Sequence, residues 1–205
     1  MKTWLLSFVC MLATVPLFGH AALSNADRKA ALDEAQMLVL PRARALPDLA
    51  LTDLEGRHFS TKDLKDHWSL LFFGFTYCPD VCPTTLSDMR ILFAELDPSI
   101  RERLRLIFVT ADPARDTPER MKSYLNYFDP AFIGLTGQME DLQALSKAAG
   151  LPFVLPDTQH EGYSVTHSAN MALIGPDGTL RGLLRAPFNR DALKKWIPAL
   201  LASDQ

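Results

Sequence analysis

The chain has 205 residues, 48% of them apolar and 22% charged, which fits one domain large enough to bury a sizeable core. A formal net charge of -3 provides no basic field and argues against nucleic acid as a partner. Neither an internal repeat nor a low-complexity block is present.

The amino terminus reads as an export signal. A lone Lys2 precedes an apolar run from Trp4 to Phe18 and the small-residue stretch Gly19-His20-Ala21-Ala22, so residues 1–22 are expected to be a secretory signal peptide cleaved after Ala21 or Ala22. The alternative is an uncleaved membrane anchor, but the run is shorter than the ~20 apolar residues of a spanning helix and contains Pro16. Cys10 would leave with the signal, and Cys78 and Cys82 would be the cysteines of a periplasmic or otherwise exported, soluble protein. Residues 23–45 mix alanines with Asp27, Arg28, Lys29, Asp33, Glu34 and Arg42, the pattern of a short amphipathic helix or a spacer.

A globular pattern occupies residues 46–201. Leu49 to Leu54 and His58-Phe59-Ser60, separated by Glu55-Gly56, predict a strand hairpin. Trp68 to Phe75 is nearly continuously apolar, as expected of a strand buried on both faces. A helix is predicted over Pro83 to Leu96, with Leu86, Met89, Ile91, Leu92, Phe93 and Leu96 at helical spacing, followed by a central strand at Leu104 to Thr110. Thr117 is a candidate cap and Pro118 a first helical residue, starting a helix that runs to Phe128. Then come a short strand at Ala131 to Leu135, a helix from Gln138 to Ala149 closed by Gly150, strands at Met171 to Ile174 and Thr179 to Leu184, and a last helix from Arg190 to Leu201. This order predicts an α/β, thioredoxin-like fold with an N-terminal strand hairpin and an inserted helix and strand, the insertion being either 118–135 or 131–149.

The chemistry concentrates in Phe73-Gly-Phe-Thr-Tyr-Cys-Pro-Asp-Val-Cys-Pro-Thr-Thr-Leu86, at the carboxyl end of one strand and the amino end of a helix, where open α/β sheets place their sites. With Pro83 in the first turn, Cys82 is expected to cap the helix, and the free N–H groups there would favour its thiolate. Cys78 and Cys82 could form a redox disulfide, a plain stabilising disulfide, or a clamp on a soft metal ion. The loop they would close is too short to restrain much of the unfolded chain. Their C-x-x-x-C spacing departs from the C-x-x-C of thiol oxidoreductases, and the approach to the facing strand, Ser164-Val-Thr-His-Ser-Ala-Asn-Met171, carries a histidine where those enzymes generally carry a proline.

With Val109-Thr-Ala-Asp-Pro-Ala-Arg-Asp-Thr-Pro118 and His167-Ser-Ala-Asn-Met-Ala-Leu-Ile-Gly-Pro-Asp-Gly178, these segments resemble the Sco/SenC family of copper-binding proteins that assist assembly of the dinuclear copper site of cytochrome c oxidase. The resemblance spans most of residues 46–201 and implies that Cys78, Cys82 and His167 bind one copper ion. Two thiolates and an imidazole form a soft three-coordinate set suited to Cu(I), whereas structural zinc wants a fourth ligand. The same set could hold Cu(II) with an added oxygen, for which Asp80 is the candidate, its plain reading being a solvated loop residue. His160 is the rival imidazole, lacking the strand motif that follows His167. Thr166 stands where many relatives have an aspartate, leaving open what orients the histidine. The Asp112, Arg115 and Asp116 loop reads sufficiently as a turn and helix cap, and the methionines form no copper-binding tract.

The resemblance therefore implies an exported metallochaperone whose partners are the copper-accepting subunit of a respiratory oxidase and a copper donor protein, touching a membrane only through a partner or an uncleaved signal. Such a protein need not turn over a substrate. The alternative is a thiol-disulfide oxidoreductase in which Cys78 and Cys82 reduce acceptor cysteines. A peroxidase would need a peroxidatic cysteine beside an arginine, which nothing in the sequence places.

Overall fold

The computed structural model describes residues 25–202 apart from 156, 159 and 161, and the expected signal segment and Cys10 lie outside the described residues. The strands are β1 (Met37–Ala45), β2 (Ala50–Asp53), β3 (His58–Ser60), β4 (Trp68–Gly74), β5 (Leu104–Thr110), β6 (Ile133–Gly137), β7 (Met171–Ile174) and β8 (Thr179–Leu184). The helices are α1 (Asn25–Glu34), α2 (Val81–Glu95), the single turn α3 (Pro98–Arg101), α4 (Pro118–Phe128), α5 (Met139–Ala149) and α6 (Arg190–Ala202). One sheet contains all eight strands in the order β1-β8-β7-β4-β5-β6-β2-β3.

Strand β4 organises the molecule. It runs parallel to β5 and antiparallel to β7, and each of its seven residues is buried. Side chains alternate across a strand, so Leu70 and Phe72 face the layer of α2, α4 and α6, while Leu71 and Phe73 face α5. That two-sided burial is why Trp68 to Gly74 reads as an unbroken apolar run. Each fully buried Leu or Phe contributes about 1.5–3 kcal/mol, so β4 and its neighbours form the rigid base on which the loops above are built.

The predicted hairpin is β2 and β3, which pair antiparallel; β2 also pairs antiparallel with β6. Strand β6 runs parallel to β5, and with α5 it extends the sheet away from β7. Thr117 caps α4 by accepting from the Arg120 N–H, with Pro118 at the start, and Gly150 closes α5 at φ 72°.

Residues 23–45, expected as a helix or spacer, depart from that expectation in their second half. Residues Asn25–Glu34 are helical, but Met37–Ala45 is an edge strand of the sheet, pairing antiparallel with β8. The pairing shifts register between Val39 and Arg44, across Pro41, which has no N–H to donate. Edge position, a proline and the four solvent-facing residues Arg42, Ala43, Arg44 and Ala45 leave only Met37 fully buried in this strand, too weak a pattern to read as β.

Among the described residues, no helix is long and apolar enough to cross a membrane.

Candidate metal centre

The site forms where β4 ends and β7 is about to begin. Because these strands are antiparallel, with Leu71 opposite Ala172, the loop leaving Gly74 and the segment entering Met171 arrive at the same edge of the sheet. The first carries Cys78 and the second His167, while Cys82 lies in the first turn of α2.

Helix α2 starts earlier than expected. Its cap is Asp80, not Cys82, and Pro83 is the third helical residue, one of the positions whose N–H has no partner within the helix. Asp80 makes no side-chain cap bond. The Cys82 N–H donates instead to Cys78 Sγ at 3.3 Å, so the sulfur of Cys78 takes the place of the capping oxygen.

This reverses the expected thiolate. The Cys78 pKa is lowered from 9.0 to about 4, chiefly by the hydrogen bond from the Cys82 side chain, with the Cys82 and Asp80 backbone N–H groups adding to it against the cost of burial. Cys82 is raised well above the usual thiol range, by that same bond to Cys78 and by its own burial. Two sulfurs this close hold one negative charge more easily than two, and the charge settles on the more exposed sulfur that receives the N–H groups. Both are free thiols.

His167 completes the group. Its Nδ1 lies 3.0 Å from the Ser168 carbonyl oxygen, which can only accept, so Nδ1 carries the proton and Nε2 presents a lone pair. Nε2 is 3.3 Å from Cys82 Sγ. The backbone of the next residue therefore does the orienting, and Thr166 is exposed with its carbonyl accepting from the Val154 N–H. The ring is held edge-on by Phe72 and Phe75, at centroid distances of 5.7 and 5.8 Å. An isolated antiparallel bridge between Phe153 and His167 fixes the backbone.

The two sulfurs and Nε2 lie within 4.8 Å of one another. Metal–sulfur and metal–nitrogen bonds of about 2.3 and 2.0 Å give a trigonal site an S···N edge of ~3.7 Å, which the 3.3 Å Cys82–His167 separation and the 4.8 Å upper bound bracket. Gly74 makes room for it: a Cβ there would stand 2.9 Å from Cys82 Sγ and 2.7 Å from the Phe108 ring. An open cleft of about 250 Å³, lined by Phe75, residues 78–81 and residues 164–167, leads to the group from solvent.

Two other candidates are outside the three-ligand group, although Asp80 lines the cleft beside it. Asp80 is exposed and its carboxylate accepts from the Thr84 hydroxyl at 3.4 Å, so it supplies no oxygen to the three ligand atoms in this state. His160 is exposed and does not join the group.

The loop 112–116 does more than turn the chain. Asp116 is 1% exposed, and its carboxylate accepts from the Thr76 N–H, the Thr76 hydroxyl at 2.6 Å and the Thr110 hydroxyl at 2.7 Å. Burial pushes its pKa up against those bonds. It thereby ties the start of the cysteine loop to the end of β5. Arg120 reaches the same threonine, donating from Nε to Thr76 Oγ1 at 2.6 Å, with its guanidinium 3.7 Å from the Tyr77 ring centroid. Tyr77, Arg120 and Tyr163 carry no sequence signal toward the site, because the partners that tie them to it are 38 to 51 residues away.

A reduced dithiol and an imidazole on a thioredoxin-like α/β scaffold define a class of soft-metal or thiol-chemistry proteins. The chain belongs to the SCO1/SenC family, whose model matches residues 40–202. It is 58% identical, over 87% of its length and 88% of the relative's, to a Stutzerimonas stutzeri protein named, provisionally, as copper-binding. It is 40% identical over 62% of its length to the mitochondrial protein SCO2 of Saccharomyces cerevisiae, spanning 43% of that longer chain. The crystal structure of yeast Sco1 with copper bound superposes with a TM-score of 0.72 at 30% identity, covering 78% of this chain and 90% of that one.

Proposed function

We propose that this protein is an exported copper metallochaperone of SCO1/SenC type, in which Cys78, Cys82 and His167 take up one Cu(I) ion and pass it by ligand exchange to a partner's copper site. The observation that carries this reading is the convergence of two reduced sulfurs and an imidazole lone pair within 4.8 Å at the foot of a solvent-open cleft. A three-coordinate soft site holds Cu(I) while leaving an approach for an incoming ligand, which is what transfer between proteins requires. The copper-bound yeast relative and the copper-binding name of the Stutzerimonas protein support the choice of metal. The acceptor is the dinuclear copper site of a respiratory oxidase subunit, served on the outer face of the membrane after residues 1–22 direct export; amino-terminal sequencing of the exported protein reads the cleavage.

A second reading has its own observation. A low-pKa, half-buried Cys78 backed by a buried thiol at Cys82 is also the arrangement of a nucleophilic and a resolving cysteine in a thiol-disulfide reductase.

The deciding experiment is a Cu(I) titration of the reduced protein against a competing chelator, with Cys78→Ser, Cys82→Ser and His167→Ala alongside. One-to-one binding weakened by orders of magnitude in all three variants is expected. Binding indifferent to His167 would instead favour the reductase, whose next measurement is the reduction potential of the pair.

A further inference from the structure

The cysteine half and the histidine half of the site come from segments 85 residues apart, and the connection from Leu155 to Thr166 contains no strand or helix among its described residues. Something must hold the histidine segment against the cysteine loop before metal arrives. The Arg115 guanidinium lies between the two. It sits 3.5 Å from the ring centroid of Tyr163, four residues before His167, and 4.8 Å from that of Tyr77, the residue before Cys78. Phe75 lies 5.8 Å away on the cysteine side.

We propose that Arg115 is a positioning residue that clips the His167 segment to the Cys78 loop through its stacking between Tyr163 and Tyr77. This rests on the copper-site reading and deepens it. Asp112, fully buried, holds the guanidinium through its Nε, and its other carboxylate oxygen accepts from the Tyr163 hydroxyl at 2.8 Å. Tyr163 is therefore gripped twice by one loop, at the ring by Arg115 and at the hydroxyl by Asp112. A planar cation between two aromatic faces is a geometry that guanidinium fills and ammonium does not. Because Asp112 neutralises and aims the arginine, and Asp116 separately anchors Thr76 to the same loop, the segment 112–116 is a common base to which both halves of the ligand set are fastened. Arg115 touches none of the three ligand atoms, so its effect must pass through the placement of His167.

A double-mutant cycle on the full reduced chain tests this, reading Cu(I) affinity by chelator competition in wild type, Arg115→Ala, His167→Ala and the double variant. Arg115→Ala is expected to weaken binding on the order of tenfold in the wild-type background and to cause no further loss when His167 is already alanine. NMR of the metal-free protein should show the His167 ring signals broadened by exchange in Arg115→Ala. Equal loss in both backgrounds would place the effect on the cysteines or the whole fold and overturn the proposal, as would unchanged affinity with unchanged ring signals. If His167→Ala alone leaves affinity intact, the copper reading fails, and the ring signals of the metal-free protein then decide the clip by themselves. Should Arg115→Ala not fold, Arg115→Lys keeps the charge beside Asp112 but offers the tyrosines no planar face. It is expected to give the same pattern, and a lysine variant with wild-type affinity and ring signals would overturn the proposal.

Discussion

Metal-free, reduced protein should titrate one of its site cysteines as a strong acid. The Cys78 pKa falls from 9.0 to about 4 because Cys82 donates to it from side chain and backbone. At about pH 6 such a thiol is ~99% thiolate, against ~0.1% for an ordinary one, a roughly thousandfold gain in the reactive form. Thiolate nucleophilicity drops with basicity, with a slope of about 0.4–0.5, which removes two to two and a half of those three decades. Alkylation of Cys78 at about pH 6 should therefore run only about three- to tenfold faster than that of an unperturbed thiol, while Cys82 lags far behind. The assay is thiolate absorbance against pH, with peptide mapping of the alkylated product to assign the residue. Cys82→Ala should move the Cys78 midpoint upward, since the principal donor is removed. The folded value lies below the unfolded one, so the stabilisation from the Cys78 thiolate is fully present above about pH 9 and is lost as the pH falls through about 4. A chain showing no thiolate below neutral pH, or one alkylated first at Cys82, would refute the assignment of Cys78 as the sulfur that caps α2.

Three further outcomes follow from packing. Gly74→Ala would drive a Cβ against Phe108 and Cys82 Sγ; a loss of about 1–3 kcal/mol in denaturant unfolding, with altered Cu(I) affinity, is expected. Asp116→Ala would leave the Thr76 N–H and the hydroxyl protons of Thr76 and Thr110 without their acceptor, costing on the order of 3–5 kcal/mol and lowering the unfolding midpoint without removing a ligand. Gly182→Ala would place a methyl 2.3 Å from the Leu38 carbonyl oxygen, so β1 should detach from β8 and its amides lose protection in hydrogen exchange while β4 and β5 keep theirs.

The central strands and most helices were legible because their signals are local and strong. The run at Trp68–Gly74 is apolar without interruption because both its faces are covered, and Thr117, Pro118 and Gly150 mark helix ends by backbone chemistry that any fold would honour. Strand β1 was not legible, since an edge strand buries little and Met37–Ala45 carries a proline and two arginines. The start of α2 was misjudged by two residues for a related reason: Pro83 is tolerated at the first position and at the third alike, as neither N–H has a helical partner.

By itself the sequence singled out Cys78, Cys82 and His167 as candidates, because cysteines are scarce and the motifs that flank these three residues are distinctive. Only the tertiary structure decided how they share the chemistry. Which cysteine holds the negative charge depends on a helix beginning one residue before Cys82, and which nitrogen of His167 is free depends on the Ser168 carbonyl. The stacking of Arg115 between Tyr77 and Tyr163 joins three segments remote along the chain, and no local pattern encodes a contact between residues that only the folded sheet brings to one edge.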